Sequence, residues 1–213
     1  MSLTREIVRD AAIGVALADR ADGLEAFLTP GCAAAVWRRQ PDPAVQPWLD
    51  ALPSDRLPRG RVVLRPEIAG NVTRELCAIA DTPAGPELDH LIADVQGLAT
   101  RFATLMNADT IRLRLDASTG NACRRFHIDA ITARLVCTYR GPGTQYGIST
   151  DGAEPQRVFS VPTGAPILLR GSLWPEAPAA GLLHRSPPIE GTGTSSAEHP
   201  SELQSHSDHG WRH

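Results

Sequence analysis

Residues 124–144 read RRFHIDAITARLVCTYRGPGT, with His127 and Asp129 two apart at the mouth of an apolar run that closes on Gly141-Pro142-Gly143. On an extended chain, residues two apart point to the same side. An imidazole and a carboxylate are therefore offered to a common point. A distant histidine, His184 in GLLHRSPP (181–188), completes a set of two histidines and one carboxylate. That set holds Fe(II) on one face and leaves positions open for substrate and oxygen. The same residues also admit a reading without metal, in which His127 is hydrogen-bonded locally, Asp129 forms a turn and His184 is a half-buried polar residue. A second His-x-Asp, His206-Ser207-Asp208, lies near the C-terminus, and His90 is in a helical pattern. His206, His209 and His213 could at most chelate loosely, as polar tails do.

From residue 110 onward the pattern is that of strands. TIRLRLD (110–116) alternates Ile111, Leu113 and Leu115 against Arg112 and Arg114, as a half-buried strand does. ARLVCTY (133–139), QRVFSVP (156–162), PILLRG (166–171) and GLLHR (181–185) follow, separated by Gly/Pro turns. Upstream, ELDHLIADVQGLATRFATLM (87–106) places Leu88, Leu91, Ile92, Val95, Leu98, Phe102 and Leu105 on one helical stripe. Before it, CAAAVWRR (32–39) reads as a buried strand and DPAVQPWLDAL (42–52) as a short helix. GRVVLRPE (60–67) is a further apolar run, and NVTRELCAIAD (71–81) has Val72, Leu76 and Ile79 at helical spacing. The expected architecture is α+β: a helical N-terminal half packed on a C-terminal antiparallel β-barrel or double-stranded β-helix-like sheet. A single domain spans 1–190, with the β-rich half at about 110–188. Residues 191–213, rich in Ser, Gly, His and acids, are expected to form a disordered polar tail.

Alternation also assigns faces. Tyr139 shares the parity of Leu135 and Cys137 and is expected to line the pocket, whereas Arg134 alternates against them and is expected to face away. Arg185, beside His184, is a candidate for a substrate carboxylate, although strand neighbours point to opposite faces. Gly141-Pro142-Gly143-Thr144 is a tight turn rather than a phosphate cradle, since no helix pattern follows it.

The chain has 213 residues and a net charge of −3. Its 21 basic residues are all arginine and form no basic stripe, which argues against nucleic acid as a partner. The four cysteines, Cys32, Cys77, Cys123 and Cys137, make no Cys-x-x-Cys and read as buried thiols in a reducing compartment. No segment approaches the roughly 18 apolar residues of a bilayer span, and the start of the chain lacks the pattern of a signal peptide. The expectation is a cytoplasmic protein with a small-molecule substrate, no membrane partner and no oligomeric state indicated.

FHIDAITARLVCTYRGPGT (126–144), APILLRGSLWP (165–175), GLLHRSPP and AAAVWRR (33–39) together resemble the bacterial family known as domain of unknown function 1826, over about residues 25–190. From residue 122 onward the chain is also similar, more distantly, to the double-stranded β-helix of the iron and 2-oxoglutarate dioxygenases. That resemblance implies His127, Asp129 and His184 as ligands to Fe(II), in an oxygenase of unspecified substrate; Tyr139, by its parity, and Arg185, by its place beside His184, are the candidate catalytic residues. The alternative, from a different class, is a non-catalytic, cupin-like protein that binds Zn(II) or another divalent ion in metal homeostasis. One departure matters: those dioxygenases carry an arginine for 2-oxoglutarate on a closing strand shortly after the second histidine, whereas here no arginine follows Arg185 until Arg212. Either 2-oxoglutarate is not the cosubstrate, or Arg185 or Arg170 substitutes, or the last strand has been lost.

Overall fold

The computed structural model describes residues 11–117 and 125–187, and the backbone of Glu202–Ser205. Its ten strands are β1 (Gly14–Ala18), β2 (Cys32–Trp37), β3 (Gly60–Leu64), β4 (Ile111–Leu115), β5 (Ala133–Cys137), β6 (Gln145–Ile148), β7 (Phe159–Ser160), β8 (Pro166–Arg170), β9 (Leu182–Arg185) and β10 (Glu202–Ser205). Seven of them form one sheet in the order β1-β2-β8-β5-β10-β4-β3, and three form a second in the order β7-β6-β9. His127 extends the second sheet by an isolated antiparallel bridge to His184 in β9.

From β4 onward the chain alternates between the sheets: β4 in the large one, His127 in the small, β5 large, β6 and β7 small, β8 large, β9 small, β10 large. This alternation resembles the winding of a double-stranded β-helix, here in two sheets rather than a closed barrel. Val136, Ile167 and Leu169 of the large sheet and Leu182 of the small one share one buried cluster, against which Tyr146 packs. The metal-ligand candidates belong to this space between the sheets.

The outer face of the large sheet carries the helices α1 (Val45–Ala51), α2 (Ala69–Ile79) and α3 (Pro86–Met106). Helix α3 begins with Pro86 after Gly85 and has Glu87 and Asp89 in its first turn, which suits the free amides and positive dipole of a helix N-terminus. It ends where Asn107 turns left-handed at φ 48°, a conformation asparagine tolerates. Leu88, Leu91, Ile92, Val95, Leu98 and Phe102 are all buried along it. Each contributes about 1.5–3 kcal/mol of burial, so the stripe read from the sequence is the face that anchors the helix. The sheet residues in the same buried cluster include Ile111, Leu113, Leu135, Cys137 and Leu168.

Two expectations need correction. The N-terminal half is not a helical layer alone, because β1, β2 and β3 supply both flanks of the large sheet, with β1 and β2 paired in parallel. And the tail contributes a strand: the backbone of Glu202–Ser205 pairs antiparallel with both β4 and β5. The expectation of disorder over 191–213 therefore fails for these four residues. The other residues of that segment, with Cys123, Arg212 and the tail histidines, lie outside the described ones. Among the described residues, no helix is long and apolar enough to cross a membrane. Cys32, Cys77 and Cys137 are free and buried.

Candidate metal centre

His127 and His184 face each other directly across the small sheet, exchanging backbone hydrogen bonds of 3.0 and 2.9 Å. Directly opposed residues of an antiparallel pair project to the same face, and the two imidazole centroids stand 4.5 Å apart. Asp129, two residues on, returns its carboxylate to the same point. Its Oδ1 is 3.6 Å from His127 Nε2 and its Oδ2 is 3.0 Å from His184 Nε2. The three donor atoms all lie within 4.8 Å of one another, and among the described residues this is the group of His, Cys, Asp and Glu side chains so arranged. Donors that share one ion at about 2.0–2.2 Å stand about 3 Å apart when they bind at right angles. The 3.0 Å between Asp129 Oδ2 and His184 Nε2 is of that size, and the 3.6 Å between Asp129 Oδ1 and His127 Nε2 is wider.

The backbone beyond Asp129 is held from the other side of the sandwich. After β8 the chain turns through Gly171-Ser172-Leu173, whose amides donate to the carbonyls of Thr132, Asp129 and Ile131 at 2.9, 2.9 and 3.1 Å. A β-carbon on Gly171 would stand 1.9 Å from the Ile131 carbonyl oxygen and 2.8 Å from that of Asp129. No side chain fits there, so glycine is what lets the two segments approach.

Protonation is arranged for metal binding. His127 Nδ1 lies 2.8 Å from the Arg125 carbonyl oxygen. A carbonyl only accepts, so Nδ1 carries the proton and the neutral ring presents its Nε2 lone pair to the site. The hydrogen bond with Asp129 raises the pKa of His127 against the opposing effect of burial. Burial lowers that of His184 despite its contact with Asp129. Burial also opposes ionisation of Asp129, but the two histidines and the charge of Arg134 outweigh it and hold the carboxyl well below the usual range. The resting site thus has an ionised carboxylate and a neutral buried imidazole.

Asp129 Oδ2 and His184 Nε2 are sealed from solvent, yet neither makes a hydrogen bond of acceptable geometry with the described residues. Distance and angle disagree here: the atoms are 3.0 Å apart but not aligned as donor and acceptor. A buried polar atom left so costs about 1–3 kcal/mol, and nearly all such atoms in folded proteins find a partner. Arg134 Nη1, 2.9 Å away, already balances part of the carboxylate charge, and a metal cation between the two atoms would give His184 Nε2 a partner as well. The residues fit a divalent ion.

Two assignments from alternation change, those of Arg134 and Tyr139, while that of Arg185 holds. Arg134 does not face away; its Nη1 lies 2.9 Å from Asp129 Oδ2. Tyr139 lies on the opposite face, where its hydroxyl donates to Asp94 Oδ2 at 2.6 Å beneath α3. Asp94 is in turn gripped by both terminal nitrogens of Arg39, and Tyr139 lines a separate cleft of about 660 Å³ with Arg39, Asp42 and His90. Burial and the neighbouring Asp94 carboxylate raise the Tyr139 pKa well above its ordinary value. Both faces of β5 are apolar-lined, so alternation showed which residues go together but not which set meets the metal. Arg185 lies on the outer face of the small sheet, with Nε donating to Gln145 Oε1 at 2.8 Å and its guanidinium 4.3 Å from the Phe126 ring centroid. Arg170 is likewise engaged elsewhere, donating to the Phe27 and Thr29 carbonyls at 3.0 Å each. Sequence reasoning also missed Tyr146, the cross-strand partner of His184.

A family model described as "Protein of unknown function (DUF1826)" matches residues 18–195. No curated protein matches the chain. Among solved structures, it is similar to a dioxygenase for auxin oxidation from rice, with 13% identity over 90% of this chain and 82% of that one and a TM-score of 0.47. It is also similar to an oxidoreductase of the 2OG-Fe(II) oxygenase family from Burkholderia pseudomallei, with 14% identity over 91% of this chain and 94% of that one and a TM-score of 0.46.

Proposed function

The chain belongs to the DUF1826 family, and we propose that it is a mononuclear metal protein in which His127, Asp129 and His184 hold Fe(II) for an oxygenase reaction on a small molecule. The observation that carries the reading is the convergence of three donors within 4.8 Å of one another, with His184 Nε2 buried and without a hydrogen bond among the described residues and Asp129 Oδ2 balanced only by the Arg134 ion pair. Fe(II) held by two histidines and a carboxylate supplies oxygen chemistry and keeps positions open for substrate. The chain's own part is to keep the buried His184 imidazole neutral and the Asp129 carboxylate ionised, while His127 gives up its proton to the ion. Arg134 holds one carboxylate oxygen through its ion pair, and the inter-sheet core limits the access of water.

One observation favours a second reading, a non-catalytic Zn(II) site. β10 carries Glu202, Leu203, Gln204 and Ser205 and no arginine, and neither Arg170 nor Arg185 reaches the site. Arg170 and Arg185 therefore supply no anchor for the distal carboxylate of 2-oxoglutarate.

The two readings differ in open coordination. Protein purified anaerobically without a His tag should take up one Fe(II) per chain. Nitric oxide added to that protein should give the half-integer-spin EPR signal of a nitrosylated, coordinatively open iron. Strong preference for Zn(II) and no such signal from the iron-loaded protein would favour the zinc reading.

A further inference from the structure

The small sheet places four rings in one row. His127 is opposite His184, His184 opposite Tyr146, and Tyr146 opposite Phe159. Directly opposed residues share a face, so the row begins at the metal centre and runs outward across the strands. Tyr146 and Phe159 are stacked, with centroids 5.5 Å apart and planes 24° from parallel. Tyr146 is half-buried against the inter-sheet core, while Phe159 is 43% exposed. With strands about 4.8 Å apart, Tyr146 stands next to the ligand histidines and Phe159 roughly 10 Å out.

The outer end of the row opens into a cleft. Phe159, Arg157 and Ile148 line a space of about 430 Å³ together with Asp151 and Glu154, within the range of small-ligand pockets; the two carboxylates there disfavour an anion at this outer end and leave the inner, cationic end to it. Ile148 is two residues from Tyr146 and opposite Leu182, so it continues the same face. The Arg157 guanidinium sits 5.7 Å from the Phe159 ring centroid. At the inner end the charge is positive once an ion is held, because Asp129 is the single carboxylate of the triad and is already ion-paired with Arg134. A row of aromatic rings that leads to a cationic centre fits a ligand with a ring at one end and an anion at the other.

Resting on the metal-centre reading, we propose that the site takes a small aromatic carboxylate. Its carboxylate is directed to the metal end beside Arg134, and its ring lies against Tyr146 with Phe159 extending the wall. Aliphatic acids meet the same charge without the ring contact and bind less well. Offset aromatic contact at this scale corresponds to roughly 3- to 10-fold in affinity.

The test uses the full chain loaded with Mn(II), with uptake of one ion verified by calorimetry, and benzoate and cyclohexanecarboxylate as probes. Paramagnetic broadening of each probe's proton NMR lines reports both binding and closeness to the ion, with Zn(II)-loaded protein as the diamagnetic reference. Benzoate should be broadened in the parent protein and in Tyr146→Phe. Its affinity should fall roughly 3- to 10-fold in Tyr146→Leu and in Phe159→Ala, and cyclohexanecarboxylate should be as weak with the parent as benzoate is with those variants. Phe159 is exposed, so its variant reads the wall without endangering the fold. If Mn(II) binds but the two acids bind alike, or if neither variant changes benzoate, the carboxylate alone is recognised and the proposal fails. Failure to take up Mn(II) overturns the metal-centre reading instead, and this inference with it.

Discussion

His127 is the member of the triad that protons and metal contest. Its contact with Asp129 raises its pKa, so it keeps a proton to higher pH than a free histidine, whose value is about 6.5. An ion must displace that proton, since only the neutral ring coordinates. His184 is driven by burial toward the neutral form, and Asp129 stays ionised; neither competes near neutrality. Metal affinity should therefore be flat above the raised pKa of His127 and fall about tenfold per pH unit below it, as expected for one proton released. Calorimetric titration in buffers of different ionisation enthalpy measures both slope and proton count. A pH-independent affinity from about 5.5 to 8, a range that brackets the ordinary histidine value, would contradict this assignment. Tyr139 has the opposite status. Tyr139→Phe removes a buried hydrogen bond to a charged carboxylate, worth about 1.5–3 kcal/mol, so it should lower thermal stability and leave metal uptake unchanged; loss of uptake would return Tyr139 to the site. The sequence made the ligand pair legible because a spacing of two on a strand has one geometric meaning. It left Arg134 and Tyr139 on the wrong sides because Leu135 and Val136 are both buried, one toward the helices and one toward the second sheet.

Among the elements, the turn after β8 does most to place Asp129. The Gly171 environment has no room for a methyl group, with backbone oxygen at 1.9 Å from its β-carbon position. Gly171→Ala should therefore push the 129–132 segment away, weaken metal binding at least tenfold and cost about 1–3 kcal/mol of stability, measured by titration and thermal melt. Unchanged affinity would mean that Asp129 does not depend on this packing. Elements were legible where one stripe dominates, as in α3. In α2 the regularly spaced Val72, Leu76 and Ile79 suggested the buried face, yet Ile79 is 81% exposed and Ala69, Thr73 and Cys77 are buried. The close approach of α3 selects small side chains there, and periodicity weighted by hydrophobic size looks past them. β10 was hidden for a different reason. A four-residue polar segment has little pattern of its own, and what places it is backbone pairing on both sides.

For the molecule as a whole, β10 joins the two parts of the large sheet. It lies between β4 and β5, so its removal would leave two unpaired strand edges in the middle of a sheet. Truncation after Gly191 should lower the melting temperature by more than about 4 °C, on the order of 1 kcal/mol or more for a domain of this size; an unchanged melt would show that β10 adds nothing. The α+β class and the alternation of strands between sheets were within reach of the sequence. The β1 and β3 flanks were not, because they form only through partners distant in the chain. The central claim is that His127, Asp129 and His184 share one ion, and it is tested most directly by anaerobic Fe(II) titration of the parent chain beside His127→Ala, Asp129→Ala and His184→Ala, with circular dichroism confirming that each is folded. The account predicts one Fe(II) per parent chain and loss of tight binding in every folded variant. Undiminished stoichiometry and affinity in the folded histidine variants would contradict it.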